Sequence, residues 1–156
     1  MQNPDKLAVV LVSGGLDSCV AAACAAQDYK LAFLHVKYGQ RTEDRELKAF
    51  NDITDYYQAN HRLVCKLDYI KEIGGSSLID KNLDIPTGIS NSNIPATYVP
   101  FRNAQFLSAA VAWAEVLGAE KIFIGAVAED SAGYPDCRGE FYQAFNKLVA
   151  VGTKPE

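Results

Sequence analysis

The stretch Leu7 to Ser18, LAVVLVSGGLDS, restricts what this chain can fold into more than any other. Leu7 to Val12 are all aliphatic, which suits a strand buried on both faces of a parallel sheet better than one with a wet face. The run stops at a small polar turn, Ser13-Gly14-Gly15-Leu16-Asp17-Ser18. Two adjacent glycines open backbone conformations closed to other residues and let the main chain come close to a bulky anion. Ser13, Asp17 and Ser18 are expected to cap the helix that follows. The free N–H groups at its start, reinforced by the helix dipole, attract phosphate. A strand feeding a helix through such a turn reads as a phosphate cradle.

Its spacing excludes the commoner cradles. A Walker loop needs GxxxxGK[ST], and no lysine follows here to reach the outer phosphates; the GxGxxG spacing of dinucleotide-binding proteins is absent as well. A nucleophile elbow would read GxSxG, and neither Ser13 nor Ser18 is flanked in that way. Ser-Gly-Gly-Leu-Asp-Ser at the end of a first strand instead resembles the PP-loop of the ATP pyrophosphatases, which bind ATP and release AMP and pyrophosphate. Asp17 in such a site lies beside the triphosphate, a poor place for a carboxylate unless Mg²⁺ bridges the two.

At 156 residues the chain is expected to be a single domain over residues 1–156. About half of it is hydrophobic, with no low-complexity tract, so it should be globular. The N-terminus MQNPDK lacks the basic start and apolar core of a signal peptide, and no apolar run approaches a membrane span, which sets a cytoplasmic expectation with no membrane partner. Cys19, Cys24, Cys65 and Cys137 form no CxxC pair and read as reduced thiols. A net charge of −4 argues against a direct nucleic-acid partner.

Strand and helix patterns alternate along the chain. After the cradle come an alanine-rich helix over 18–28, a strand over 31–36, an amphipathic helix over 42–60 and a strand over 62–67. Residues 74–98 turn to Gly, Ser, Asn, Asp and Pro, a long loop of the kind that is usually functional or mobile. A helix over 102–117 closed by Gly118, a strand over 121–127 and a last helix over 139–151 complete the pattern. The fold expected is α/β, a doubly wound, mainly parallel sheet with helices on both faces, whose ligands bind beyond the carboxyl ends of the strands where strand order reverses.

Three further stretches lie at such ends or at a helix start: Tyr38-Gly39-Gln40-Arg41, Tyr98 to Asn103, and Asp130 to Arg138. Pro100 rigidifies a helix start, while Arg102 and Asn103 supply a planar cation and an amide there. Singly, each is more readily something ordinary: Gln40-Arg41 a solvated lead-in, Pro100 a simple helix start, Gly133 to Asp136 a common turn. His35 and His61, in or beside strands, read as structural. In combination, SGGLDS, YGQR, VPFRN and GYPDCR in this order resemble the 7-cyano-7-deazaguanine synthase family, within the PP-loop ATPases. SGGLDS marks the superfamily; GYPDCR with Asp130 before it is more specific. The resemblance implies ATP-dependent conversion of the carboxylate of 7-carboxy-7-deazaguanine to a nitrile with ammonia, on the way to queuosine-type nucleosides.

It also implies roles. The ATP site would comprise Val12, Ser13, Gly14, Gly15, Leu16, Asp17, Ser18, Cys19, Val20, Ala21 and Ala22, with Asp17 holding Mg²⁺. Arg41, Arg102 and Arg138 are candidates to neutralise phosphate or pair with the substrate carboxylate, because a guanidinium matches both bidentately. Asp130 and Asp136 are candidates to read the guanine-like N–H edge, and Tyr134 to stack on the ring. Gln40, Pro100, Asn103 and Cys137 complete the expected substrate contacts, and Asp17, Arg102, Asp130 and Arg138 the catalytic set. Two departures stand out. Thr42 follows YGQR where the family usually has His. The family's further strand and cysteine-rich zinc site beyond the equivalent of Glu156 have no counterpart here, so the chain is expected to bind no structural zinc and to lack an edge strand. It should then self-associate, as in a homodimer, or need a partner. Two other readings keep the cradle: another PP-loop enzyme, such as a tRNA thiolase or an amide-forming synthetase, and a non-catalytic nucleotide-binding fragment.

Overall fold

The computed structural model describes residues 6–79, 94–127 and 133–154. Four strands, β1 (Leu7–Leu11), β2 (Lys30–Lys37), β3 (His61–Lys66) and β4 (Lys121–Phe123), form one sheet in the order β3-β2-β1-β4. Every pairing is parallel, with Val9 opposite both Ala32 of β2 and Ile122 of β4. Five helices connect and flank them: α1 (Leu16–Ala25), α2 (Glu43–Tyr56), α3 (Tyr69–Ile73), α4 (Arg102–Leu117) and α5 (Gly139–Gly152), with a 3-10 turn over Pro135–Cys137. This is the doubly wound α/β arrangement expected.

The period of two along the central strands sorts side chains to the two faces. Val9, Leu11, Ala32, Leu34 and Val36 point to α4, meeting Leu107, Ala110 and Ala114, with Phe141 and Phe145 of α5 packed on the margin. Val10, Val12 and Phe33 point the other way, onto Ala22 and Ala25 of α1 and Phe50 of α2. Ala8, Val9 and Val10 are wholly buried, as an all-aliphatic strand predicts. A third cluster of Tyr38, Ile70, Ile79 and Val99 lies beyond the carboxyl end of β2. It anchors both ends of the polar stretch 74–98, which the Ser77 amide and hydroxyl also tie together by donating to the Ala96 carbonyl at 2.9 and 3.2 Å.

Several limits differ from expectation. Helix α1 runs Leu16–Ala25 rather than 18–28, and α3 was not anticipated at all, because five residues are too few to show a period. The fourth strand pairs only over Lys121–Phe123, not to 127, because the chain then leaves β1 and passes the start of α1. Helix α4 has the expected limits, closed by Gly118 in the left-handed conformation. No described helix is long and apolar enough to cross a membrane.

With β2 and β3 on one side of β1 and β4 on the other, strand order reverses between β1 and β4. The Ser13 turn leaves the sheet at that point.

Candidate functional site

The loop after β1 is made by backbone. Gly14 adopts φ +82°, and a Cβ there would lie 2.6 Å from the Ala49 Cβ of α2. Gly125, just past β4, presses against the first turn of α1, where a Cβ would sit 2.6 Å from the Asp17 carbonyl carbon and the Ser18 nitrogen. The expected side-chain caps are not formed. Gly15 is the N-cap of α1, and no side chain caps the helix. The Ser13 hydroxyl instead accepts from the Gly15 amide at 3.3 Å, and Ser18 turns back to donate to the Gly15 carbonyl at 2.8 Å. The hydroxyls therefore shape the turn and leave the start of the helix without a side-chain cap, as an anion site requires. Asp17 is exposed in that first turn.

His35 fixes the strand leading into the loop. Its Nδ1 lies 2.8 Å from the Val12 carbonyl, which only accepts, so Nδ1 carries the proton. The ring lies 5.4 Å from that of Phe50, and Nε2 is buried without a partner among the described residues. Beyond β2, Gln40 is buried and its amide is fully engaged. Its Oε1 accepts from the Tyr38 amide at 2.9 Å, and its Nε2 donates to Glu46 at 2.9 Å and to Val36 O at 3.4 Å. Thr42 donates its hydroxyl to the same Glu46 carboxylate. Lys37 and Glu43 pair at 2.7 Å, and the Lys37 ammonium holds the Glu43 carboxyl below the usual range.

A second wall is built of side chains brought together from distant segments. Phe101 has left-handed backbone, φ 56°, a conformation that strains a bulky residue. The Tyr98 hydroxyl accepts from its amide at 3.0 Å and supports the turn into α4. Asp136 is buried, and its Oδ2 accepts from the Asn103 amide at 2.8 Å, so a carboxylate from 33 residues away supplies the cap that the helix lacks locally. The Asn103 side-chain amide donates back to the Asp136 carbonyl at 3.1 Å and to Cys137 Sγ at 3.3 Å. Arg102 leans on the rings of Tyr38 and Phe106, at 5.6 and 5.7 Å, and donates from Nη1 to the Tyr38 hydroxyl at 3.1 Å. Burial pushes the Tyr38 phenol up, against the opposing pull of the Arg102 charge.

Between the walls lies a cavity of about 370 Å³. Of the residues expected at a site, it brings together Val12, Ser13, Ser18, Gln40, Arg41, Arg102, Asn103 and Cys137. Pro100, Tyr134, Asp136 and Arg138 are not part of its lining. Tyr134 bonds Thr97 through its hydroxyl at 2.7 Å, and Arg138 is exposed at the start of α5. Asp130 lies outside the described residues. Tyr38, singled out above within Tyr38–Arg41 but given no role of its own, also lines the cavity, as do Phe106 and Gly125, which were missed. For Tyr38 the available signal was an aromatic directly ahead of Gly39 at a strand end; for Gly125 it was a lone glycine directly after an apolar strand.

The model of the family described as queuosine biosynthesis protein QueC matches residues 7–156. The chain belongs to this family. It is 59% identical over 151 residues to the 7-cyano-7-deazaguanine synthase of Chlorobium phaeobacteroides (strain DSM 266), a match covering 96% of this chain and 67% of that protein. The synthase of Chloroherpeton thalassium is 57% identical over 151 residues, again 96% and 67% of the two chains. That of Acidobacterium capsulatum is 53% identical over 152 residues, 94% and 66%. The chain thus spans about two thirds of the length of the curated relatives it matches.

The groups such a protein uses can be tested against these residues. The glycine-lined loop and the uncapped start of α1 suit the phosphates of a nucleotide. Mg²⁺ commonly takes one or two carboxylates and completes its shell with phosphate oxygens and water, which Asp17 at the first turn of α1 fits. Among the described residues, no three His, Cys, Asp or Glu side chains are grouped so as to hold a metal by themselves.

Proposed function

We propose that this single domain converts 7-carboxy-7-deazaguanine and ammonia to 7-cyano-7-deazaguanine in the cytoplasm, using Mg-ATP bound at the Ser13–Ser18 turn. A carboxylate resists an amine until one of its oxygens becomes a good leaving group. Transfer of AMP to that oxygen, with release of pyrophosphate, meets this need. Ammonia then displaces AMP to give the amide, and a second activation of the amide oxygen followed by elimination leaves the nitrile.

The observation that carries the reading is a shared cavity: the loop residues Ser13 and Ser18 and the half-buried cation Arg102 line the same space at the switch point. A phosphate cradle and a carboxylate-matching guanidinium are what the first step has to bring together. In this reading the loop and α1 hold the nucleotide and Asp17 holds its Mg²⁺. Arg41 and Arg102 neutralise anionic oxygens, while Asp130, Tyr134 and Asp136, with Arg138, form or support the deazaguanine side. A homodimer is the assembly proposed, with Val116, Leu148 and Val151 exposed on α4 and α5 in its favour.

Incubation with ATP, ammonia and 7-carboxy-7-deazaguanine, followed by mass detection, should give the nitrile, AMP and pyrophosphate. Nucleotide binding without AMP release would leave a binding module, and AMP release without the nitrile would point to another acceptor.

A further inference from the structure

Tyr38 is the residue of the cavity wall whose chemistry is least explained by packing. Its ring is buried against Phe106 at 5.3 Å and belongs to the cluster of Ile70, Ile79 and Val99. A phenylalanine would fill that place without bringing a hydroxyl into a largely apolar site, where an unmatched polar group is costly. The hydroxyl oxygen accepts from Arg102 Nη1. The phenol hydrogen has no acceptor among the described residues. Arg102 in turn forms no ion pair with a carboxylate among the described residues; two ring faces and the phenol oxygen hold it in place. A half-buried guanidinium fixed by neutral groups keeps its charge available for a ligand.

We infer that Tyr38 and Arg102 act as one receptor, in which the phenol O–H and a guanidinium N–H donate to the paired oxygens of an anionic group of the ligand. Accepting from Arg102 turns the phenol hydrogen away from that N–H, so one ligand oxygen can take the phenol O–H while its partner takes another guanidinium N–H. Charge-assisted hydrogen bonds of this kind are short and about twice as strong as neutral ones. The surrounding wall of Leu34, Val36, Leu78 and Phe106 is apolar and suits a flat ring carrying that anion. The assignment rests on the functional reading above and adds a residue to it. Anionic oxygens reach this cavity from two sources, the substrate carboxylate and the nucleotide phosphates, and the measurement separates them.

Titration calorimetry on the wild-type chain, Tyr38→Phe and Arg102→Lys is run with 7-carboxy-7-deazaguanine, the uncharged nitrile product and Mg-ATP. Tyr38→Phe keeps the ring and removes one donor, so it should weaken the carboxylate about tenfold and leave the nitrile unchanged. Arg102→Lys keeps the charge but loses the planar fork, and should weaken the carboxylate at least as much. Weakening confined to Mg-ATP keeps the receptor and names its anion as phosphate. Equal weakening of carboxylate and nitrile, or no change for any ligand, overturns the receptor and leaves Tyr38 as packing. If the wild-type chain binds neither Mg-ATP nor the carboxylate, the functional reading falls, and this assignment with it.

Discussion

The two walls of the cavity solve the same problem by opposite means. The wall at β1 and α1 is backbone: Gly14 and Gly125 allow close approach, and no side chain caps the helix. The wall at the start of α4 is side chain throughout, with Asp136 capping the helix from a distant turn and Arg102 resting against two adjoining rings. A bare backbone wall presents N–H groups to any phosphate. A wall of buried side chains reads shape and charge, since each of its members has a fixed partner. Non-selective grip and selective recognition are thus divided between the two sides of one space.

The backbone wall breaks most severely when given a side chain. Gly125→Ala places a methyl 2.6 Å from main-chain atoms that cannot yield, and should lower stability by about 2–3 kcal/mol. Nucleotide binding should be lost with it. Urea unfolding that shows no change would mean the end of β4 is free to move away from α1.

The side-chain wall breaks through its distant cap. Asp136→Ala strands the buried Asn103 amide, at a cost of about 1–3 kcal/mol. Deazaguanine binding should fall while Mg-ATP is retained, because the β1–α1 wall is intact. Parallel loss of both ligands would erase the distinction between the walls.

A subtler test bears on the metal. Asp17→Asn keeps the turn and removes a charge, so Mg-ATP affinity should fall about tenfold, as expected for roughly 1.5 kcal/mol or more of charge-assisted interaction. Equal affinity by calorimetry would take Asp17 out of metal binding.

The smallest effect lies outside both walls. The folded Glu43 carboxyl is held below its ordinary value by Lys37. Its contribution is therefore present above the unfolded pKa of about 4.3 and is lost as pH falls through the lowered folded value. The Tm difference between wild type and Glu43→Gln should be visible near pH 6 and close on acidification below about pH 4. A gap unchanged across that range would show that the pair contributes nothing.

The same division explains what the sequence made legible. The cradle was readable because backbone conformation restricts residue type: a left-handed turn against a helix favours glycine, and an all-aliphatic run before it means a buried strand. Helix α4 was readable to the residue because Pro100 precedes its start and Gly118 ends it. The α4 wall was readable only as a list of suspects. Asp136 and Asn103 meet across 33 residues, and no local pattern records that meeting. Arg102 stood out by its charge, whereas the rings that hold it, Tyr38 and Phe106, look like ordinary core residues until the fold brings them to the cation. Ser13 and Ser18 misled for a related reason. Their hydroxyls are the usual capping groups, and here they are used within the turn itself.

One consequence concerns timing. Strand β1 is central, yet its two neighbours are reached very differently: Ala8 pairs with Leu31 of β2 and with Lys121 of β4. A chain emerging at about 5–20 residues per second spends on the order of ten seconds with β1 and β2 exposed and β4 still unmade. Through that interval one edge of β1 is open and the first turn of α1 has no Gly125 behind it. The nucleotide cradle is made before β2 but finished only when β4 and Gly125 arrive behind it, so until then a nascent chain cannot use bound nucleotide as a template for its own folding.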